Sequence, residues 1–271
     1  MTQLRHLPLI LEPDELQPLL GHPELLILDL CRSDLYARAH VPGAIHVDPS
    51  RLMRREEPAM GKCLSEEQLQ QLFSDIGYTG QEHIVVYDDE GGGWAGRMIW
   101  TLDLIQHKHY SYLNGGLLAW LDNNQPSEQQ PNTPPPSEVE LEFDYSPLIT
   151  REVLQAQLGA DDLVIWDARS DAEYRGERLM AQRGGHIPGA INYEWTRAMD
   201  RSKQLRIREN LLPELESLGI RRDKRIVTHC QSHHRSGFTY LLGKALGFES
   251  IQAYAGSWSE WGNLPDTPIE N

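Results

Sequence analysis

The sequence predicts an α/β protein of two similar domains, each a mainly parallel sheet flanked by helices. Three observations carry this expectation. Short apolar, β-branched runs alternate with amphipathic helical patterns, and strand–helix alternation covers both faces of a parallel sheet. The second half of the chain repeats the first in order. The length, 271 residues, suits two domains of ordinary size.

The repeat is legible segment by segment. Leu26-Ile27-Leu28-Asp29 matches Val164-Ile165-Trp166-Asp167, and His40-Val41-Pro42-Gly43-Ala44-Ile45 matches His186-Ile187-Pro188-Gly189-Ala190-Ile191. Ile84-Val85-Val86-Tyr87 matches Ile226-Val227-Thr228-His229, and Leu113-Asn114-Gly115-Gly116, ending at Trp120, matches Tyr254-Ala255-Gly256-Ser257, ending at Trp261. The offset runs only from 138 to 146, a domain-sized period that excludes a short-period solenoid. We read 1–124 as the first domain, 150–271 as the second, and 125–149 as a linker. Pro126, Pro131, Pro134, Pro135, Pro136 and Pro147 there favour extended chain lying over the surface and forbid a regular helix.

Individual elements follow from local chemistry. Leu25 to Leu30 reads as a strand, with Cys31 after it. Ser65 is an N-cap with Gln68 three residues on, a capping-box spacing. Leu69, Leu72, Phe73 and Ile76 form one stripe, and Gly77 stops the helix. Ile84 to Tyr87 is too short for a helix and β-branched, so it reads as a buried strand. Ile226 to His229 is its counterpart. Phe238, Leu241, Leu242, Ala245 and Leu246 mark a helix that Gly247 ends.

Composition narrows the function. The formal net charge is -15 and the pI about 5.1, which argues against nucleic acid or an anionic membrane as a partner. No apolar run approaches the ~20 residues of a membrane span, and Met1 to Pro8 has no signal-peptide core. Three cysteines, an odd number, make no disulfide framework and fit a reducing compartment, so a cytoplasmic location is expected.

The chemistry concentrates in Cys230-Gln231-Ser232-His233-His234-Arg235-Ser236-Gly237. This run lies between a predicted strand and a predicted helix, where backbone N–H groups and a helix N-terminus converge on one sulfur. A thiol there has a lowered pKa, which makes Cys230 the candidate nucleophile. Cys31 and Cys63 lack such a loop and read as buried or merely exposed thiols. In the first half Asp88 falls opposite Cys230, followed by Asp89 and Glu90, so that half is expected to be catalytically silent. Cys230 and Arg235 enclose four residues, one fewer than a cysteine phosphatase uses to wrap phosphate; the smaller cradle suits a sulfur atom carried on the cysteine. No Asp or Glu in the loop stands ready as a general acid, and a good leaving group needs none. No nucleotide or metal motif is present, so no cofactor is expected.

These features resemble a known family. The strand–Cys–loop–Arg–helix unit, the paired His-Ile-Pro-Gly-Ala elements and the terminal Gly-Ser-Trp-Ser-Glu-Trp look like tandem-domain rhodaneses, the thiosulfate sulfurtransferases. The loop looks especially like that of the azotobacter-type bacterial rhodanese. The resemblance implies an inactive N-terminal and an active C-terminal rhodanese-like domain. It also implies a ping-pong cycle in which sulfane sulfur passes from thiosulfate through a Cys230 persulfide to cyanide or a thiol. Alternatives are 3-mercaptopyruvate sulfurtransferase and a persulfide-carrying sulfur-delivery protein with a protein acceptor. Backbone N–H groups from Gln231 to Ser236 would stabilise the persulfide. Arg235 either orients the loop and adds charge or forms a structural carboxylate pair. His233 and His234 are expected to be exposed contacts for substrate. Arg169 faces the same cleft or pairs locally, and Trp195 and Trp258 pack. Vertebrate-type enzymes carry a basic residue two places after the cysteine; here it is Ser232.

Overall fold

The computed structural model describes residues 3–271; Met1 and Thr2, part of the N-terminal stretch read above, lie outside the described residues. The strands in chain order are β1 (Ile10–Leu11), β2 (Leu25–Asp29), β3 (Ile45–His46), β4 (Arg54–Glu56), β5 (Ala59–Lys62), β6 (His83–Tyr87) and β7 (Tyr110–Leu113). The rest are β8 (Leu163–Asp167), β9 (Ile191–Asn192), β10 (Met199–Asp200), β11 (Arg206–Ile207), β12 (Arg225–His229) and β13 (Ile251–Ala253). Two compact units result. The first takes the chain up to Leu52, Leu64–Asp144 and Met199–Ile207. The second takes Met53–Cys63, Tyr145–Ala198 and Arg208–Asn271.

The first unit is built on a five-stranded sheet in the order β1-β7-β6-β2-β3. The second has a four-stranded sheet in the order β13-β12-β8-β9. Every ladder in both is parallel. Parallel strands covered on both faces are apolar throughout, and all five residues of β6 are buried. Intervening helices supply the cover. The helix Glu66–Asp75 starts at the expected capping box: Ser65 Oγ accepts from the Gln68 N–H at 3.2 Å and Gln68 Oε1 from the Ser65 N–H at 3.0 Å. It buries Leu69, Leu72 and Phe73 and ends before Gly77, whose φ is +72°. The helix Arg235–Ala245 ends before Gly247 at φ +79°. No helix among the described residues is long and apolar enough to cross a membrane.

The sequence repeat is a repeat of the core. In the first unit Leu11, Leu16, Ile27, Val41, Ala44, Val85 and Trp120 pack together. In the second unit Ile149, Leu154, Ile165, Ile187, Ala190, Val227 and Trp261 occupy the matching positions. The satellite contacts repeat too. Tyr36 stacks on His40 with centroids 3.8 Å apart, and Tyr174 on His186 at 3.7 Å. Trp120 Nε1 donates to the Pro126 carbonyl and Trp261 Nε1 to that of Pro268, each at 2.7 Å. The proline-rich stretch therefore begins as a docked tail. His40 bridges to Glu128, as His186 does to Glu270.

Each unit also contains a short antiparallel hairpin from the other half of the sequence. β4–β5 belongs to the second unit, where the Met60 N–H donates to Ser259 Oγ at 3.1 Å and Lys62 Nζ lies 2.6 Å from Glu260 Oε1. β10–β11 belongs to the first, where Arg206 Nε reaches Glu12 Oε2 at 2.8 Å and the Ile207 N–H donates to Asn114 Oδ1 at 2.9 Å.

Candidate active site

The second unit's β12 ends at His229, and Cys230 begins the loop that leads into the helix Arg235–Ala245. The Cys230 side chain is fully buried. Burial alone would raise its thiol pKa. The Arg235 charge, the Ser236 hydroxyl and the backbone N–H groups of Ser236 and Ser232 outweigh burial and lower it. Cys31, by contrast, is buried beside Asp29, and burial together with neighbouring acids pushes its thiol far up. Cys63 is half-buried.

Neighbouring segments fix the loop. The Cys230 N–H donates to Ser257 Oγ at 3.3 Å, the Trp258 N–H to the Cys230 carbonyl at 2.9 Å, and the Ser259 N–H to the Gln231 carbonyl at 2.9 Å. Gln231 Nε2 donates to the Met180 carbonyl at 2.9 Å. Ser232 lies directly on Gly61 of β5, so closely that a Cβ there would overlap the Ser232 carbonyl. Only a residue without a side chain allows that approach.

Two expectations for the loop need correction or completion. His233 is not an exposed substrate contact. It is buried, in the left-handed region at φ +56°, with Nδ1 2.8 Å from Ser236 Oγ. The left-handed turn, accessible to histidine more than to most residues, points the ring inward, where it holds the hydroxyl that lies on the Cys230 sulfur. His234 is half-buried, with its ring edge against Trp195 at a centroid distance of 5.5 Å. His229, beneath the loop, is fully buried with Nε2 3.5 Å from Asp167 Oδ2. The three imidazoles thus face three different partners.

Arg235 forms the carboxylate pair of its structural reading. Nη1 and Nη2 donate to Glu173 Oε2 and Oε1 at 2.7 and 2.8 Å, a bidentate pair of the strong kind. Its charge still acts on Cys230. Burial pushes the Glu173 carboxyl up, but the Arg235 hydrogen bonds and charge and Ser170 prevail and hold it at about 2. Arg169 pairs locally: it is 1% exposed, forks onto Asp167 at 2.6–3.0 Å and donates to the Gly185 carbonyl at 2.9 Å. Its guanidinium lies 4.3 Å from the Trp258 ring centroid, so Trp258 packs as expected and also serves as a cation–π platform.

Sequence reasoning missed Glu173, Ser257 and Gly61. Glu173 carried a signal, because Ser170-Asp171-Ala172-Glu173 has capping-box spacing, and the box forms. The same carboxylate that reaches back to Ser170 also grips Arg235. Ser257 and Gly61 carried none.

In the first unit the equivalent loop encloses no thiol. The Asp88 carboxylate accepts from the backbone N–H groups of Glu90, Gly91, Gly92, Trp94 and Ala95 at 2.8–3.1 Å. The anion cradle is present and filled by the chain's own side chain.

Comparison with known proteins agrees with this geometry. A rhodanese-like domain model matches residues 12–123 and again 150–264. A thiosulfate sulfurtransferase of Azotobacter vinelandii is 53% identical over 270 residues, covering 100% of both chains. One from Pseudomonas aeruginosa is 51% identical over the same span and coverage. The sulfur carrier protein TtuD of Thermus thermophilus is 31% identical over 97% of each chain. The anaerobic ergothioneine biosynthesis enzyme of Chlorobium limicola shares the fold, with a TM-score of 0.86 at 20% identity over 100% of this chain and 72% of that one. With both halves matched and full-length relatives above 50% identity, the chain belongs to the rhodanese family, as two rhodanese-like domains in tandem.

Proposed function

We propose that this protein is a thiosulfate sulfurtransferase that carries sulfane sulfur on Cys230. The observation that carries the reading is the placement of Cys230, buried at the head of the loop between β12 and the helix Arg235–Ala245, within reach of the Ser236 and Ser232 N–H groups and the charge of Arg235. The Cys230 thiolate attacks the outer sulfur of thiosulfate, the sulfur–sulfur bond breaks, and sulfite leaves with the bonding pair. Cyanide, or an acceptor thiolate, then attacks the outer sulfur of the persulfide, and Cys230 leaves as thiolate. No net oxidation is required, and no group outside the chain takes part beyond donor and acceptor. The Ser232 and Ser236 N–H groups stabilise the anionic sulfur in both states. Arg235 supplies positive charge and, pinned by Glu173, fixes the helix start from which Ser236 donates. Gln231 and His234 are half-buried members of the loop; His233 and Arg169 act from below as positioning residues. The first unit, with Asp88 at the nucleophile's place, is silent. Three free thiols accord with a cytoplasmic setting.

The test is intact-mass measurement before and after incubation with thiosulfate. Wild-type protein gains one sulfur atom and releases it with cyanide as thiocyanate; the Cys230→Ala variant gains none. Mass gain with 3-mercaptopyruvate but not thiosulfate would move the reading to the mercaptopyruvate enzyme. A persulfide stable to cyanide would move it to a sulfur carrier, the function named for the Thermus relative.

A further inference from the structure

The Cys230 carbonyl is held from two sides. The Trp258 N–H donates to it at 2.9 Å, and His229 Nδ1 lies 3.3 Å from it. A carbonyl only accepts, so the proton of the histidine contact sits on Nδ1. Burial pushes the His229 imidazole down to about 4 against the pull of Asp167, so near neutral pH the ring is uncharged and has a single N–H. That leaves Nε2 bare: it is buried, makes no hydrogen bond and stands 3.5 Å from Asp167 Oδ2. Each donor to the carbonyl thus rests on one member of a buried ion pair. His229 faces Asp167, and the Trp258 ring lies 4.3 Å from the Arg169 guanidinium, which forks onto Asp167.

The first unit shows what the fold itself needs at these places. Asp29 accepts the Cys31 N–H at 2.8 Å as Asp167 accepts the Arg169 N–H at 2.9 Å, and the Asp88 carbonyl takes the Leu117 N–H at 3.0 Å as that of Cys230 takes the Trp258 N–H. The backbone arrangement is the same, but the side chains differ. Cys31 stands in place of Arg169, and Tyr87, in place of His229, has its hydroxyl on the Val41 N–H at 3.1 Å. A buried ion pair is weak support for stability, and the first unit has no Arg–His pair at these positions. The unit that holds Cys230 adds an imidazole to the peptide of its nucleophile. Carbonyl and N–H of one trans peptide point opposite ways, so two donors on the Cys230 carbonyl fix both the ψ angle of Cys230 and the direction of the Gln231 N–H. We infer that His229 is a positioning residue, whose Nδ1–H locks the Cys230 peptide and so aims the sulfur and the first N–H of its cradle. The inference rests on Cys230 as the sulfur-bearing residue.

Three variants of the full-length protein separate the hydrogen bond from packing. The amide nitrogen of asparagine falls near the place of Nδ1, that of glutamine near Nε2, and phenylalanine keeps a ring without a donor. His229→Asn should keep thiosulfate-to-cyanide turnover within about threefold, while His229→Gln and His229→Phe lose about tenfold in kcat with KM for thiosulfate little moved, the effect of one hydrogen bond. The pH midpoint of Cys230 alkylation should rise in the glutamine and phenylalanine variants and stay near wild type in the asparagine one. Asparagine is the smallest of the three and leaves a void, so its urea midpoint should be the lowest. Activity and stability then rank oppositely. A histidine that only fills space would make them rank alike, and that result overturns the inference. Nitrogen NMR of histidine-labelled wild-type protein covers the case of variants that fold poorly. It should find His229 as the Nδ1–H tautomer near neutral pH; an Nε2–H tautomer leaves the carbonyl without this donor and overturns the inference by itself. Alkylation and NMR need no sulfur transfer. A wild-type protein that takes no sulfur from thiosulfate, with both of those results as expected, would sink the sulfurtransferase reading and support the positioning of Cys230 by His229.

Discussion

Asp88 and Cys230 hold the same place in the two units, each the first residue after the strand flanked by parallel neighbours on both sides. One cradle closes on a carboxylate and the other on a thiol. The N–H groups that help lower the Cys230 thiol pKa in the second unit have their counterparts in the first, spent on a fixed internal carboxylate. The units differ less in architecture than in what the cradle holds.

Asp88→Ala should therefore harm folding rather than turnover. It leaves five N–H donors, three of them buried and two half-buried, without their acceptor. Unsatisfied buried groups cost about 1–3 kcal/mol each, less than additively, so a loss of about 3 kcal/mol is expected in urea unfolding. Sulfur transfer measured well below the transition should stay near wild type. Asp88→Asn, which keeps one acceptor oxygen, should recover part of the loss. A large fall in turnover of fully folded Asp88→Ala would refute a silent first unit.

The three cysteines should separate cleanly by reagent and pH. Cys230 should alkylate below the pH of an ordinary thiol, and Cys230→Ala should abolish thiocyanate formation. Cys31 sits in the first unit's core with its thiol pushed far up. Cys31→Ala should leave turnover intact while costing about 1–2 kcal/mol for the lost packing. Mass mapping of alkylated peptides across pH checks both.

Arg235→Ala should cost activity and stability together, because it strands a Glu173 side chain that is 3% exposed. Breaking a buried pair costs about 3–5 kcal/mol. Losing the charge-assisted stabilisation of the thiolate costs about tenfold to a hundredfold in rate. Arg235→Lys should restore part of the rate but less of the stability, since one ammonium cannot reproduce the two-pronged grip. Urea midpoints beside alkylation pH profiles separate the two effects.

The same pair sets an acid limit. Glu173 is held at about 2, below its ordinary value of 4.5, so the unfolded chain takes up this proton first as pH falls. The stabilisation is complete above about 4.5 and lost progressively toward about 2, roughly 3 kcal/mol in all. Glu173→Gln should flatten that part of the stability–pH curve. A variant as acid-sensitive as wild type there would place the sensitivity elsewhere.

Gly61→Ala adds one methyl group where the Ser232 backbone already touches. Either the loop or β5 must move. The Ser232 N–H helps hold the thiol pKa down, so the Cys230 alkylation midpoint should rise and turnover fall about tenfold. Unchanged alkylation would mean that β5 yields and the loop does not.

Much of this was legible in the sequence because the relevant residues lie close together along it. The Cys230 loop is continuous, and its flanking strand and helix are periodic, so the strand–loop–helix placement of the candidate cysteine could be read directly. The repeated core was legible because Ile27 and Ile165, or Val85 and Val227, keep their apolar character at a nearly constant offset. What escaped was non-local or conformational. Gly61 acts through the absence of a side chain, against a loop in the other half of the sequence. His233 looked like exposed polar surface, but a single left-handed residue turned it inward toward Ser236. Arg235 could not be resolved between two roles because its partner Glu173 lies 62 residues away along the chain.

The crossed-over hairpins bear on how the molecule comes into being. When a ribosome has released everything up to Ala198, all five strands of the first unit's parallel sheet exist, yet Met199–Ile207 still has to emerge before that unit is whole. Meanwhile Met53–Cys63, made early, waits for partners such as Ser259 and Glu260 that are translated almost last. Neither half can mature by itself, and contacts this distant along the chain form slowly. Gly61, made early, meets Ser232 only after the Cys230 loop has been made, so the contact that braces this loop joins two ends of the synthesis.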